Sequence, residues 1–186
     1  MTRTTIRLSS TPILRGGSGR ILPPPRNFHP AGRVRNVKWE MADPSFIRGR
    51  KATGARAAGI RYEKKIQERL EEAYPHTYVR SPWLTFFRDG ARSLQWCQPD
   101  GLIIDILQGI IVVVEVKLRH TSDSWWQLRQ LYIPVLGELF GSAWRFKPVE
   151  VCRWFDPDQK FPEEFRMVEQ LTYGNPTEFG VHIWRV

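Results

Sequence analysis

The stretch that decides the fold reads Gln98-Pro99-Asp100-Gly101, then, beyond the turn Leu107-Gln108-Gly109, Ile110-Ile111-Val112-Val113-Val114-Glu115-Val116-Lys117. So apolar a run ahead of Glu115 predicts a buried strand. Side chains alternate across a strand, so Ile111, Val113, Glu115 and Lys117 share one face. With Leu107 and Gln108 as the central turn residues, hairpin pairing sets Asp100 directly opposite Glu115. Carboxylates facing each other across a ladder repel, and beside this strand they are also partly desolvated. A divalent cation removes the objection: both carboxylates, the backbone carbonyl of Val116 and waters form an oxygen-rich site suited to Mg2+. Such an ion binds a phosphate oxygen and lowers the pKa of a bound water. Lys117, one pleat along, is placed to orient that water or to stabilise charge on a phosphate.

Upstream, Gly59, Glu63, Ile66, Leu70 and Ala73 recur at spacings of four and three, one stripe of an amphipathic helix starting near residue 58. Glu63 is thus a carboxylate on the apolar side. Segments 78–87, 94–106 (interrupted by Pro99) and 110–117 read as strands, with Arg88-Asp89-Gly90 and Leu107-Gln108-Gly109 as turns, and predict an antiparallel meander. Downstream, Thr121-Ser122-Asp123 forms an N-cap cluster for a second helix with the stripe Trp125, Leu128, Tyr132, Val135, Leu136 and Leu139, bent at Pro134. Residues 149–155 and 180–186 are further strand candidates, and 156–169 has room for a short helix. The order predicts an α/β fold with a mixed central sheet flanked by helices.

The chain has 186 residues and a net charge of +9, with 41% hydrophobic residues and eight Trp, ample material for one packed domain. The charge is uneven. Residues 1–56 hold twelve Lys/Arg against Glu40 and Asp43, a net +10; residues 57–186 hold sixteen against seventeen, a net −1. The first segment, with six Pro, six Gly and no sustained period, reads as an extended basic N-terminal arm, leaving 57–186 as the domain. Such an arm suits DNA phosphates or a larger protein assembly. Cys97 and Cys152 lack partners at ligand spacing, which excludes a cysteine zinc site and favours two buried thiols in an intracellular, reducing compartment. No apolar run approaches a membrane span, so no membrane partner is expected. An acid-free start at residues 1–39 also suits a mitochondrial targeting peptide, but Pro12, Gly16, Gly17, Gly19 and Pro23 interrupt the helix it needs.

The pattern Pro99-Asp100, a gap of 14 residues, then Glu115-Val116-Lys117 at the end of a hydrophobic strand resembles the PD-(D/E)XK nuclease superfamily of restriction endonucleases, resolvases and lambda-exonuclease or RecB-type exonucleases. The likeness spans residues 58–139 in helix-strand-strand-strand-helix order. It implies a restriction endonuclease-like core, hydrolysis of DNA, and Mg2+ (with Mn2+ as a substitute) held by Asp100 and Glu115. Glu63 takes the place of the acid that the first helix contributes in the family. Gln127 and Tyr132 stand near the family's helical Gln and Tyr, although five residues apart instead of four. The iron-sulfur cysteines of one subgroup are absent.

Each residue also has a plainer reading. Glu115 and Lys117 form a salt bridge at a strand end, Glu63 pairs with a basic neighbour at the stripe's edge, and Gln127 lies on the helix surface. Asp105 is a turn residue, and His120, in a loop before an N-cap, is solvated. Trp125 and Trp126 lie about 100° apart on a helix, so one of them turns from the core toward a base or a partner. The rival functional class is a nucleic-acid-binding or assembly protein, such as a virion component, that uses the nuclease-like fold for docking.

Overall fold

A computed structural model describes residues 32–45, 52–155, 165–167 and 179–186. The chain is mixed α/β. A six-stranded sheet has the order β2-β5-β6-β7-β9-β8, with β2 Tyr78–Arg80, β5 Gly101–Asp105, β6 Ile110–Arg119, β7 Arg145–Trp154, β8 Phe165–Met167 and β9 Phe179–Ile183. Strands β2, β5 and β6 are antiparallel neighbours; β6, β7, β9 and β8 run parallel. A second, antiparallel sheet joins β1 Val34–Glu40, β3 Trp83–Arg88 and β4 Gln95–Cys97.

The hairpin register is the expected one. Asp105 pairs with Ile110 and Gly101 with Val114, so the next position sets Asp100 beside Glu115. Asp105 Oδ1 accepts the Gln108 N–H at 3.0 Å, which closes the turn, and Gly109 takes φ 60°. The simple meander is overturned. Segment 78–87 divides at Ser81-Pro82 and segment 94–106 at Gln98-Pro99, and each half joins a different sheet. Proline has no N–H for a ladder, and Ser81 sits at φ 41°, so the strands leave one sheet and enter the other here.

Both faces of β6 are covered. Helix α1, Gly54–Ala73, lays Tyr62, Ile66 and Leu70 on Val112, Val114 and Val116, and Tyr62 Oη donates to the Trp184 carbonyl at 2.8 Å. Its buried stripe includes Tyr62 and Gln67, one position round from the expected one, which leaves Glu63 at the edge. On the other face Ile111 and Val113 meet Leu84 and Phe86 of the small sheet together with Leu128, Tyr132 and Leu136. The helix carrying these last three runs as α2, Ser122–Trp126, a π-helical segment Gln127–Tyr132, and α3, Ile133–Phe140.

The π-helical segment is what Pro134 produces. Gln130, four residues back, receives no proline N–H; the Ile133 N–H reaches the Leu128 carbonyl, and Arg88 Nη2 donates to the Gln130 carbonyl at 3.1 Å. The segment 1–56 is not arm throughout, since β1 lies within it and pairs with β3. A bulge near Asn36, at φ 54°, hides β1 from a period-two reading. Residues 1–31 and most of 156–169 lie outside the described residues; 165–167 form strand, not helix. Cys97 and Cys152 are free and buried, and burial pushes the Cys97 thiol up to about 12. No helix among the described residues is long and apolar enough to cross a membrane.

Candidate active site

Asp100, Glu115, Lys117 and Glu63 gather where the two sheets part. Beyond Gly101 strand β5 no longer faces β6, and the Asp100 carboxylate takes over: its Oδ2 accepts the Val116 N–H at 2.6 Å. Val116 thus contributes its amide to the cluster. Glu115 is 3% exposed, and its Oε1 receives Lys117 Nζ. Glu115 Oε2 is buried with no hydrogen-bond partner among the described residues. Lys117 keeps 26% of its side chain exposed, so the cluster lies close to the surface on this side. Glu63 arrives from α1, close enough for its charge and those of Asp100 and Lys117 to perturb one another.

The electrostatics follow from crowding acids in a dry place. Burial, then the charges of Glu115 and Glu63, hold the Asp100 carboxyl well above the usual carboxylate range. Burial raises Glu115 against the opposing pull of Lys117, and raises Glu63 against the Gln67 hydrogen bond and the Lys117 charge. For Lys117, burial alone favours the neutral amine, but Glu115 and Asp100 outweigh it and its pKa lies above the ordinary value. Tyr132 stands over the group from the π-helical segment. Its hydroxyl donates to the Gln98 carbonyl at 3.1 Å and also lies within hydrogen-bonding reach of Glu115, and burial, then the charges of Glu115 and Asp100, push the phenol up. Gln127 opens the same segment, half-buried, with a buried Oε1 that has no partner among the described residues. No hydrogen bond joins Gln127 to the four charged groups.

Two sets of residues escaped the sequence reading. Gln67, one helical turn after Glu63 and 4% exposed, bonds to Glu63, Ser81 and the Asp100 carbonyl; its signal was an i,i+4 polar pair beside an apolar stripe. Glu150, an acid alone among Val149, Val151 and Cys152, is fully buried and pairs in the ladder with Glu115. Its Oε2 lies 2.6 Å from both His120 Nδ1 and Ser124 Oγ, whereas its Oε1 has no partner among the described residues. The expectation of a solvated His120 is therefore wrong. At 2% exposed it bonds into the sheet, because its own N–H pairs with the Trp154 carbonyl and continues β6 alongside β7.

Among the described residues no three His, Cys, Asp or Glu side chains converge as a ready-made metal cluster. Magnesium does not require one, since it retains several waters and is commonly held by one or two carboxylates. The Asp100 and Glu115 carboxylates, one with an uncommitted buried oxygen, fit such a hard cation, and a cation would relieve their mutual repulsion. Comparison with protein-family models, with curated proteins and with solved structures gives no match to this chain.

Proposed function

We propose that this chain is a divalent-metal-dependent deoxyribonuclease with a restriction endonuclease-like core, hydrolysing DNA phosphodiester bonds. One observation carries the reading: Asp100, Glu115 and Lys117 converge at the end of a buried strand, with the two carboxylates desolvated side by side. Two buried carboxylates this close are costly unless something binds them. Asp100, Glu115 and the Val116 carbonyl are the ligands for Mg2+, or Mn2+ in its place, and Glu63 assists directly or through water. When bound, the ion polarises a phosphate oxygen and acidifies a coordinated water. The Lys117 ammonium, on a partly exposed side chain and held charged by Glu115, orients the attacking water or balances charge growing on the scissile phosphate. Gln127 positions that phosphate. Water attacks in line and leaves a 5′-phosphate. The basic excess in residues 1–56 adds sequence-independent, salt-sensitive affinity for DNA.

The test is cleavage of supercoiled and linear DNA by wild type, Glu115→Gln and Lys117→Ala, in Mg2+ and in chelator. Wild type cleaves only with metal, and each variant loses at least roughly 100-fold. No metal-dependent cleavage on any DNA form, or normal cleavage by both variants, sinks the mechanism. DNA retarded yet left whole in both buffers would instead support the binding and assembly class, for which the +10 segment is the supporting feature.

A further inference from the structure

Gln67 is an amide buried to 4% exposure in a helix whose neighbouring inward side chains are apolar. Four groups meet it. Arg80 Nε donates to Gln67 Oε1 at 3.0 Å; Gln67 Nε2 lies 2.7 Å from Ser81 Oγ, 3.1 Å from Glu63 Oε1 and 3.1 Å from the Asp100 carbonyl. Arginine can only donate, so the amide oxygen must face Arg80 and the NH2 must face the other three. Arg80 is itself turned toward Glu71 at 3.4 Å.

We propose that Gln67 is the positioning residue of this site, fixing Glu63 relative to Asp100; the inference rests on the nuclease reading above. The two amide hydrogens serve Glu63 and Ser81, and Ser81 passes its own hydroxyl hydrogen to the Asp100 carbonyl at 3.3 Å. Tyr78 Oη and the Ser81 N–H reach the same carbonyl, each at 3.3 Å. The Asp100 backbone is thereby clamped on the side away from its carboxylate, which is left aimed at Val116. Gly101 makes room for the clamp, since a Cβ there would lie 2.5 Å from the Tyr78 ring. Glu63 is tied by Oε1 alone, which leaves Oε2 for water or a cation. Gln67 touches no reacting atom in this scheme.

Gln67→Met keeps length and burial but has no N–H to give. It is expected to fold, by circular dichroism and a cooperative melt, and to bind DNA with unchanged KM while kcat and Mg2+ affinity fall by roughly 10–100-fold. A folded Gln67→Met with kcat and calorimetric Mg2+ affinity within about twofold of wild type overturns the proposal. A second pair separates it from the nuclease reading. Gln67→Glu faces Glu63 and the Asp100 carbonyl with an acceptor and melts lower without metal; adding Glu63→Gln restores the hydrogen bond, and with it the melting temperature but not kcat. Failure of that rescue overturns the positioning even where wild type cleaves. Rescue in a protein whose wild type never cleaves overturns the nuclease reading alone.

Discussion

The two ends of β6 share one ladder and differ in energetic sign. Residues 110–114 are buried against α1 on one face and against the small sheet and the second helix on the other, with apolar neighbours throughout. At the next residue Glu115 is nearly as deep, yet it faces Asp100 and pairs with Glu150 in the ladder, and Lys117 is the cation that opposes its charge directly. The first half stabilises by removing apolar area from water, about 25 cal/mol per Å². The second half gives stability back through desolvated acids. What changes between them is the neighbour: β5 ends at Gly101, and a dry interface becomes an opening.

That contrast is most directly broken by mutation. Ile111→Ala is expected to lose about 2–5 kcal/mol, with or without Mg2+, because it leaves a cavity in a packed layer. Glu115→Gln should lose far less in metal-free melts, since it removes a buried charge and Lys117 keeps Asp100 and Glu150 nearby. Equal losses for the two would show that the acids stabilise the fold, and the contrast would collapse.

The same difference sets a pH dependence. Asp100 and Glu115 have folded pKa values above their unfolded ones, so the native state binds protons more tightly. Their contribution is complete below the unfolded values, about pH 4, and is lost as pH rises through the raised folded values. Lys117 is shifted upward too, but its contribution is lost only beyond the ordinary lysine range. Metal-free protein should therefore melt lower toward neutral pH than in mild acid where these groups dominate, and the joint variant Asp100→Asn/Glu115→Gln should flatten that slope. At neutral pH, Mg2+ at a hundred times its dissociation constant should add about 2.7 kcal/mol to wild type and nothing to the joint variant. A rising slope, or equal metal stabilisation in both, would contradict the charge account.

The hairpin was legible because one turn fixes every pair after it: Asp105 opposite Ile110 carries the register as far as Gly101 and Val114. The shared face of Glu115 and Lys117 then follows from alternation. The two-sheet division was not legible, since Ser81-Pro82 and Gln98-Pro99 read as interruptions and nothing local says that the halves take different partners. β1 was hidden by its bulge and by its place in a basic segment. Glu150 and His120 belong together only through the parallel pairing of β6 with β7, whose connection is a whole helical crossover. Local pattern reached the chemistry's first two strands and stopped where long-range pairing began.

Arg88 sharpens the contrast from the small sheet. It is 5% exposed, a buried charge like Glu115, but its Nη2 meets a carbonyl that Pro134 leaves without its helical donor. Here the hydrogen bond should stabilise, because Nη2 supplies the donor that the Gln130 carbonyl lacks. Arg88→Met keeps the apolar stem and strands the Gln130 carbonyl, at an expected loss of about 1–3 kcal/mol. Pro134→Ala restores an N–H four residues after Gln130, so the loss from Arg88→Met should shrink in that background. A double-mutant cycle by chemical denaturation reads the coupling. Additive losses would mean that Arg88 acts by packing alone, and that its Nη2 bond to the Gln130 carbonyl adds nothing to the fold.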